Sequence, residues 1–284
     1  MEDQIVYLNG RFIPISQATV SVLDRGFVFG DGVYDVIPVY QRRMFRAKQH
    51  LARLARSLQE TQIENAYSNE DWLRIIERLI EEFGVADQLV YLQVTRGVAP
   101  RAHAFPANVT PTVFAMAYAL PVPSVQAREN GVACVTMEDQ RWLHCNIKSI
   151  SLLGNILAAQ NAAEQGATET IQFRNGLLTE ASSSNVWIVQ KGKLIGPRKN
   201  NLVLEGIRYG LFEELCAEHD IPFKLRDTTK EEVFGADEVL LSSAAKEVLP
   251  VTSIDGQKIG AGEPGPMYGS LYALYQKLKA TVDR

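Results

Sequence analysis

The 284-residue sequence predicts an α+β fold in two domains, on three observations. Apolar runs with a two-residue period and runs with a helical period are mixed along the chain, without the strict strand–helix alternation of a doubly wound sheet. ALPVPS, residues 119–124, puts two prolines into three positions and breaks both helix and strand. Hydrophobic residues make up 46% and charged residues 22%, a balance that lets a chain of this length bury a core without staples. The expected parts are a small N-terminal α/β domain over 1–120, a linker at 121–123 and a large C-terminal domain over 124–284.

Taken in order, IVYLN and RFIPI flank Asn9-Gly10, a strong hairpin signal. Residues 33–40, VYDVIPVY, read as a strand after a glycine-rich turn. Leu51, Leu54, Ala55 and Leu58 predict a helix over 47–60, and Trp72, Ile75, Ile76, Leu79, Ile80 and Phe83 another over 70–83. Ser68 and Asp71 offer the second helix a capping box, and Gly84 a stop. QLVYLQVTRG and TVFAMAYAL are two further strands. Past the linker come VACVTM as a strand, a helix over 149–165, and ATETIQF as a strand. Asn175-Gly176 turns the chain, with SNVWIVQ as the expected return strand. Helices over 206–219 and 229–235, the strand DEVLLS, a hairpin at Asp255-Gly256 and a helix over 266–282 complete the chain.

Several chemistries lose ground at once. A net charge of −4 offers no general basic field for nucleic acid. No stretch reads as a membrane span, and the acidic N-terminus does not read as a secretory signal. Cys134, Cys145 and Cys216 are too widely spaced for a zinc signature, as are the four histidines, so no metal is expected; a reducing cytoplasm is the default compartment. Dinucleotide, phosphate-loop and serine-hydrolase motifs are absent.

Missing charge is the informative signal. From Trp142 to Ala163 the one charged side chain is Lys148. A desolvated lysine favours its neutral amine, the nucleophile of Schiff-base chemistry; the plain alternative is a lysine whose stem packs while its head reaches water. From Asn175 to Gln190 the one charge is Glu180, beside three serines, where a carboxylate could neutralise a buried cation or simply bind serine and backbone groups. Three places suit an anion: Arg53 on the first long helix, Gly206-Ile207 at a helix start, and Arg101 with His103 in the loop PRAHAF. Surface solvation is the alternative for both arginines, and an ordinary helix start for Gly206.

In order, spacing and residue type, DRGFVFGDGVYDVIPVY, HLARLARSL, QVTRGVAPRAHAFP, IKSISLLGNILAAQNAAEQGATETI, LTEASSSNVWIV and NNLVLEGIR together resemble the fold-type IV pyridoxal-phosphate enzymes. The likeness covers nearly the whole chain and is strongest to the branch that transaminates D-amino acids. It implies a two-domain fold-type IV aminotransferase architecture, pyridoxal 5′-phosphate bound by the C-terminal domain, and a cytoplasmic homodimer with shared active sites that takes small-molecule D-amino acids and 2-oxo acids. Amino transfer from D-alanine to 2-oxoglutarate would yield pyruvate and D-glutamate. By the same resemblance, Lys148 holds the cofactor and moves the proton, and Glu180 pairs with the protonated ring nitrogen. Arg53 binds the phosphate with the backbone of Ile207 and Arg208, Ser184, Ser243 and Ala244 add hydrogen bonds, and Leu204 packs on the ring. Tyr34, Arg101 and His103 would take the substrate carboxylate. Arg208 and Ala244 stand where relatives often carry threonine, and Trp187 where they carry Phe or Tyr. A branched-chain L-amino acid aminotransferase, an aminodeoxychorismate lyase and a noncatalytic pyridoxal-phosphate-binding protein are the rival readings.

Overall fold

Residues 3–65 and 67–281 are described in the computed structural model, and they fall into two units. One runs up to Leu120 and takes in Ile147–Leu152; the other comprises Pro121–Asn146 and Leu153–Thr281.

In the first unit, β1 (Ile5–Leu8) and β2 (Arg11–Pro14) form the expected hairpin. Asn9 and Gly10 have φ of 47° and 87°, the left-handed pair that a two-residue turn requires. A short helix that the sequence reading omitted, α1 (Arg25–Phe29), precedes β3 (Gly32–Tyr40) and β4 (Arg43–Met44). The helices α2 (Ala47–Glu60) and α3 (Asn69–Phe83) follow, then β5 (Gln88–Thr95) and β6 (Thr112–Ala119). The strands make one antiparallel sheet in the order β2-β1-β6-β5-β3-β4. Alternation along β3 buries Val33, Ile37 and Val39 in the same core as Leu51, Leu54 and Leu58 of α2 and Trp72, Ile76 and Leu79 of α3. The Ser68–Asp71 capping box forms, and Gly84 ends α3 in the left-handed conformation.

The second unit opens with α4 (Val125–Asn130), β7 (Val132–Glu138) and α5 (Leu153–Glu164). Next come β8 (Glu169–Arg174), β9 (Leu177–Ala181), β10 (Asn185–Gln190), β11 (Lys193–Gly196), α6 (Ile207–Glu218) and β12 (Phe223–Leu225). The chain continues through α7 (Lys230–Phe234), β13 (Glu238–Ser243), β14 (Glu247–Ile254), β15 (Gln257–Lys258) and α8 (Pro266–Ala280). Among the described residues these strands form a nine-stranded mixed sheet, β12-β11-β10-β13-β14-β7-β8-β9, with β15 on β14. Val186, Ile188, Val239, Leu241 and Val251 share a core with Ile171 and Phe173. Trp187 lies among the rings of Tyr209, Phe212 and Phe223, so the bulky side chain at that position is packed core.

Two expectations are corrected. The helix predicted over 149–165 begins at Leu153, because the backbone of residues 148–150 is bonded to β3 instead. The strand returning from Asn175-Gly176 is β9, not SNVWIVQ, which is β10 and pairs with β11 and β13. The apolar β10 outweighs the short LLTEA in any sequence pattern, but the two-residue turn places Leu177 directly opposite Arg174. The expected end of the last helix at 282 lies outside the described residues.

Candidate active site

Lys148 stands in an extended segment laid along β3. Tyr34 N–H donates to the Lys148 carbonyl at 2.9 Å, Ile150 N–H donates to the Gly32 carbonyl at 3.0 Å, and Val33 and Ser149 form an antiparallel bridge. Its own N–H donates to Ser57 Oγ on α2 at 3.2 Å. The side chain is half-buried and turned onto Tyr34: Nζ donates to the hydroxyl at 3.2 Å and sits 4.2 Å from the ring centroid. Tyr34 in turn stacks on Tyr91, centroids 5.6 Å apart. The amine is therefore engaged by a phenol on the sheet rather than extended into water.

Arg53 is buried, which removes the surface-solvation alternative. Its Nε and Nη2 donate to Asp35 at 2.8 and 2.9 Å, and His50 Nδ1 lies 2.7 Å from the same carboxylate. Burial works against the charge on Asp35, but Arg53 and His50 outweigh it and hold the carboxyl well below the ordinary range. Tyr34 and Asp35 are consecutive on β3 and so face opposite ways. Arg53 nonetheless lies one helical turn from Ser57, which holds the Lys148 backbone.

Glu180 lies on β9 in the second unit, buried. Leu204 N–H donates to its Oε2 at 3.0 Å, Asn185 Nδ2 approaches the same oxygen at 3.4 Å, and Arg141 pairs with Oε1. Arg141 also grips Asp139, from Nε at 2.9 Å and Nη2 at 2.8 Å. Desolvation works against the charge on Arg141, but Glu180 and Asp139 more than offset it and keep the guanidinium protonated. Arg141 and Asp139 are absent from the sequence reading. The available signal was an Arg one residue before the charge-poor run that carries Lys148.

The serines beside Glu180 serve a different carboxylate. Ser182, Ser183 and Ser184 all donate to Glu169, Ser183 and Ser184 at 2.7 Å, and Lys246 Nζ completes the cluster at 2.7 Å. Ser184 is thus engaged with Glu169. Ser243 Oγ accepts from Lys246 N–H at 3.1 Å. Arg208 turns its guanidinium to Tyr275 Oη at 2.6 Å and toward the Ala244 carbonyl at 3.5 Å. Gly206 precedes Ile207 and Arg208, and no side chain caps the first turn of α6. A Cβ on Gly206 would stand 2.1 Å from Asn185 Oδ1, whose amide donates to the Leu204 carbonyl at 2.9 Å. Glycine is required there so that Asn185 can reach both Leu204 and Glu180.

Arg101 and His103 are exposed on the loop between β5 and β6. Both meet Phe29 of α1, with the Arg101 guanidinium 5.3 Å and the His103 ring 5.6 Å from its centroid. Among the described residues neither bonds to Lys148 or Tyr34.

Residues 32–254 match the family model for class IV amino-transferases. The chain is a class IV aminotransferase. This class IV aminotransferase is 40% identical over 275 residues to the D-alanine aminotransferase of Staphylococcus haemolyticus, covering 96% of each chain. It is 41% identical over 262 residues to that of Bacillus licheniformis, covering 92% of each. Among solved structures it superimposes on the Escherichia coli branched-chain amino acid aminotransferase with a TM-score of 0.93 at 22% identity, covering 98% of this chain and 95% of that one. A putative 4-amino-4-deoxychorismate lyase from Legionella pneumophila gives 0.83 at 21% identity, over 93% and 96% of the two chains. These structural likenesses establish the two-domain α+β fold-type IV architecture of the class IV aminotransferase.

Proposed function

We propose that this aminotransferase moves the amino group of D-alanine and other D-amino acids to 2-oxoglutarate or another 2-oxo acid, with pyruvate and D-glutamate as products. The observation that carries the reading is the Lys148 amine held 3.2 Å from Tyr34 Oη, in a chain about 40% identical to D-alanine aminotransferases over nearly its full length. Pyridoxal 5′-phosphate is the implied cofactor, and the donor set fits it. Lys148 supplies the amine. Glu180 supplies a carboxylate organised by Leu204 N–H, Asn185 and Arg141 for a protonated ring nitrogen. Gly206, where a Cβ has no room, opens an uncapped α6 whose first N–H groups suit a phosphate, with Arg53 as a second anion partner. When bound, the cofactor would act as an electron sink for the Cα–H bond of the amino acid.

The chain's own residues carry the remaining work. Lys148 Nζ takes a proton when neutral and returns it when charged, and Tyr34 Oη holds it in place. Arg141 pairs with Glu180 and fixes one of its oxygens. Arg101 and His103 would grip the substrate carboxylate and so select the hand of the amino acid, in a homodimer whose sites are shared between subunits. No described helix is long and apolar enough to cross a membrane, and a cytoplasmic location is part of the proposal.

A panel of paired D and L donors with 2-oxoglutarate tests the substrate class. The expected result is turnover of D-alanine and not of L-leucine, L-valine or L-isoleucine; preference for the L series would move the chain to the branched-chain reading. Borohydride reduction followed by peptide mapping should fix the cofactor on Lys148, and label on another lysine would reject that assignment.

A further inference from the structure

The segment DRGFVFGD, which leads into β3 at Gly32, has no role in the proposed reaction, yet it is tied to the loop that carries Arg101. We propose that Arg25, Asp31 and Arg96 are positioning residues that hold the 101–105 loop in the shape in which it grips a substrate carboxylate. This rests on the reading of that loop as the carboxylate site.

Arg25 is buried at the start of α1, whose first turn is capped by Asp24 accepting from Gly26 N–H at 2.8 Å. Its guanidinium addresses three successive carbonyls of the loop: Nη1 donates to Ala102 and, at 3.5 Å, to Ala104, and Nη2 donates to His103 at 3.3 Å. The planar fork is suited to this, because one rigid group fixes several acceptors at once. Nε donates to Asp31 at 2.7 Å, and Asp31 is shared with Arg96, which donates from Nε at 2.8 Å and Nη2 at 3.1 Å. Arg96, also buried, is anchored by the carbonyls of Thr61 and Gln62 at 2.8 and 3.0 Å. Its guanidinium lies 3.6 Å from the ring centroid of Phe105, at the far side of the same loop.

Two guanidiniums joined through one carboxylate therefore hold residues 102–105. The neck of the loop is fixed as well. Arg25 N–H donates to the Gly97 carbonyl at 2.9 Å, and Asp24 and Val98 form a bridge. Gly97 has φ of 102°, and a Cβ there would stand 2.0 Å from the Thr110 carbonyl oxygen, so only glycine closes the neck. Drawing the carbonyls onto Arg25 leaves the Arg101 and His103 side chains exposed. Binding a ligand costs the ordering of the loop as well as of the side chain that grips it, and a loop whose backbone is already shaped is spared the first of these costs.

Arg25→Lys keeps the charge but loses the fork, and it is the main test. We expect KM for D-alanine to rise about tenfold with kcat changed less than about twofold, because ground-state and transition-state grip on the carboxylate weaken together. In protein without substrate, amide hydrogen exchange in a 98–108 peptide should quicken about tenfold while exchange in β5 is unchanged. Phe105→Leu spares the buried ion pairs and should move both readouts the same way by a smaller factor, which keeps the test open if Arg25→Lys does not fold. Unchanged KM and unchanged loop exchange would overturn the proposal, as would a fall in kcat with loss of bound cofactor. Arg101→Ala separates the two layers: an unmoved KM there overturns the carboxylate reading and this inference together. A raised KM in Arg101→Ala beside an unmoved one in Arg25→Lys overturns the positioning role alone.

Discussion

Glu180 and Arg141 are best understood as one buried unit with Asp139. Asp139 takes the Arg141 fork, accepts from Thr179 Oγ1 at 2.9 Å and pairs with Arg174 at 3.2 Å. Burial raises the cost of its charge, but Arg141 overcomes this and keeps the carboxyl below its ordinary range. Replacing Arg141 with Met would strip the shared cation from two buried carboxylates. Removing one partner from such a pair costs about 3–5 kcal/mol, so Arg141→Met should lower unfolding free energy by about that amount in a denaturant titration. A loss under about 1 kcal/mol would mean that water already solvates both carboxylates. Glu180→Gln tests the chemistry instead. Stopped-flow half-reactions with D-alanine should slow far more than cofactor binding weakens, because a neutral amide does not hold a protonated ring nitrogen as a carboxylate does. Unchanged half-reaction rates would reject Glu180 as the ring partner.

Elements fix these side chains through their connections. The turn between β9 and β10 joins Glu180 to Asn185, and it is held from below by Glu169 through Ser182, Ser183 and Ser184, while Asn155 of α5 donates to the Ser182 carbonyl at 2.9 Å. Burial disfavours the Glu169 carboxylate, but Lys246 and the serines more than compensate and lower its pKa from 4.5. A carboxyl lowered by folding contributes stability that is present above its unfolded value and lost as pH falls through its folded value. Glu169→Gln should therefore destabilise the protein at pH 7, and the gap to wild type should close progressively below about pH 4.5. Unfolding titrations from pH 7 to pH 3 would check this. A gap that stays constant with pH would mean that the serine cluster works by shape rather than by charge.

At the scale of the whole molecule, the open matter is which chains build one site. If the loop carrying Arg101 serves the neighbouring subunit, Lys148→Ala and Arg101→Ala are complementary defects. In a mixed two-fold dimer one site receives both defects and the other neither. Random exchange makes about half the dimers mixed, so roughly a quarter of wild-type activity should return. Differently tagged chains would verify exchange. Confirmed exchange with activity no higher than the parents would establish that each loop serves its own chain, and would leave the transaminase reading standing.

Sequence alone determined the local frame of this protein, because local signals act over a few residues. Asn9-Gly10, the Ser68–Asp71 box and the apolar stripes of α2 and α3 each specify their own geometry, and all appear where the pattern puts them. The isolation of Lys148 and Glu180 in charge-poor runs was equally visible. What the residues are bonded to was decided by tertiary structure. Residues 148–150 have helix-compatible neighbours, yet β3 claims their backbone groups, and a strand partner more than a hundred residues away leaves no mark on periodicity. Arg53 looked like an exposed arginine on a stripe edge until Asp35, on another element, drew it into the core. The three serines stood next to Glu180 in sequence, but strand pairing carried them to Glu169, since hydrogen bonds are settled by distance in space and not by separation along the chain.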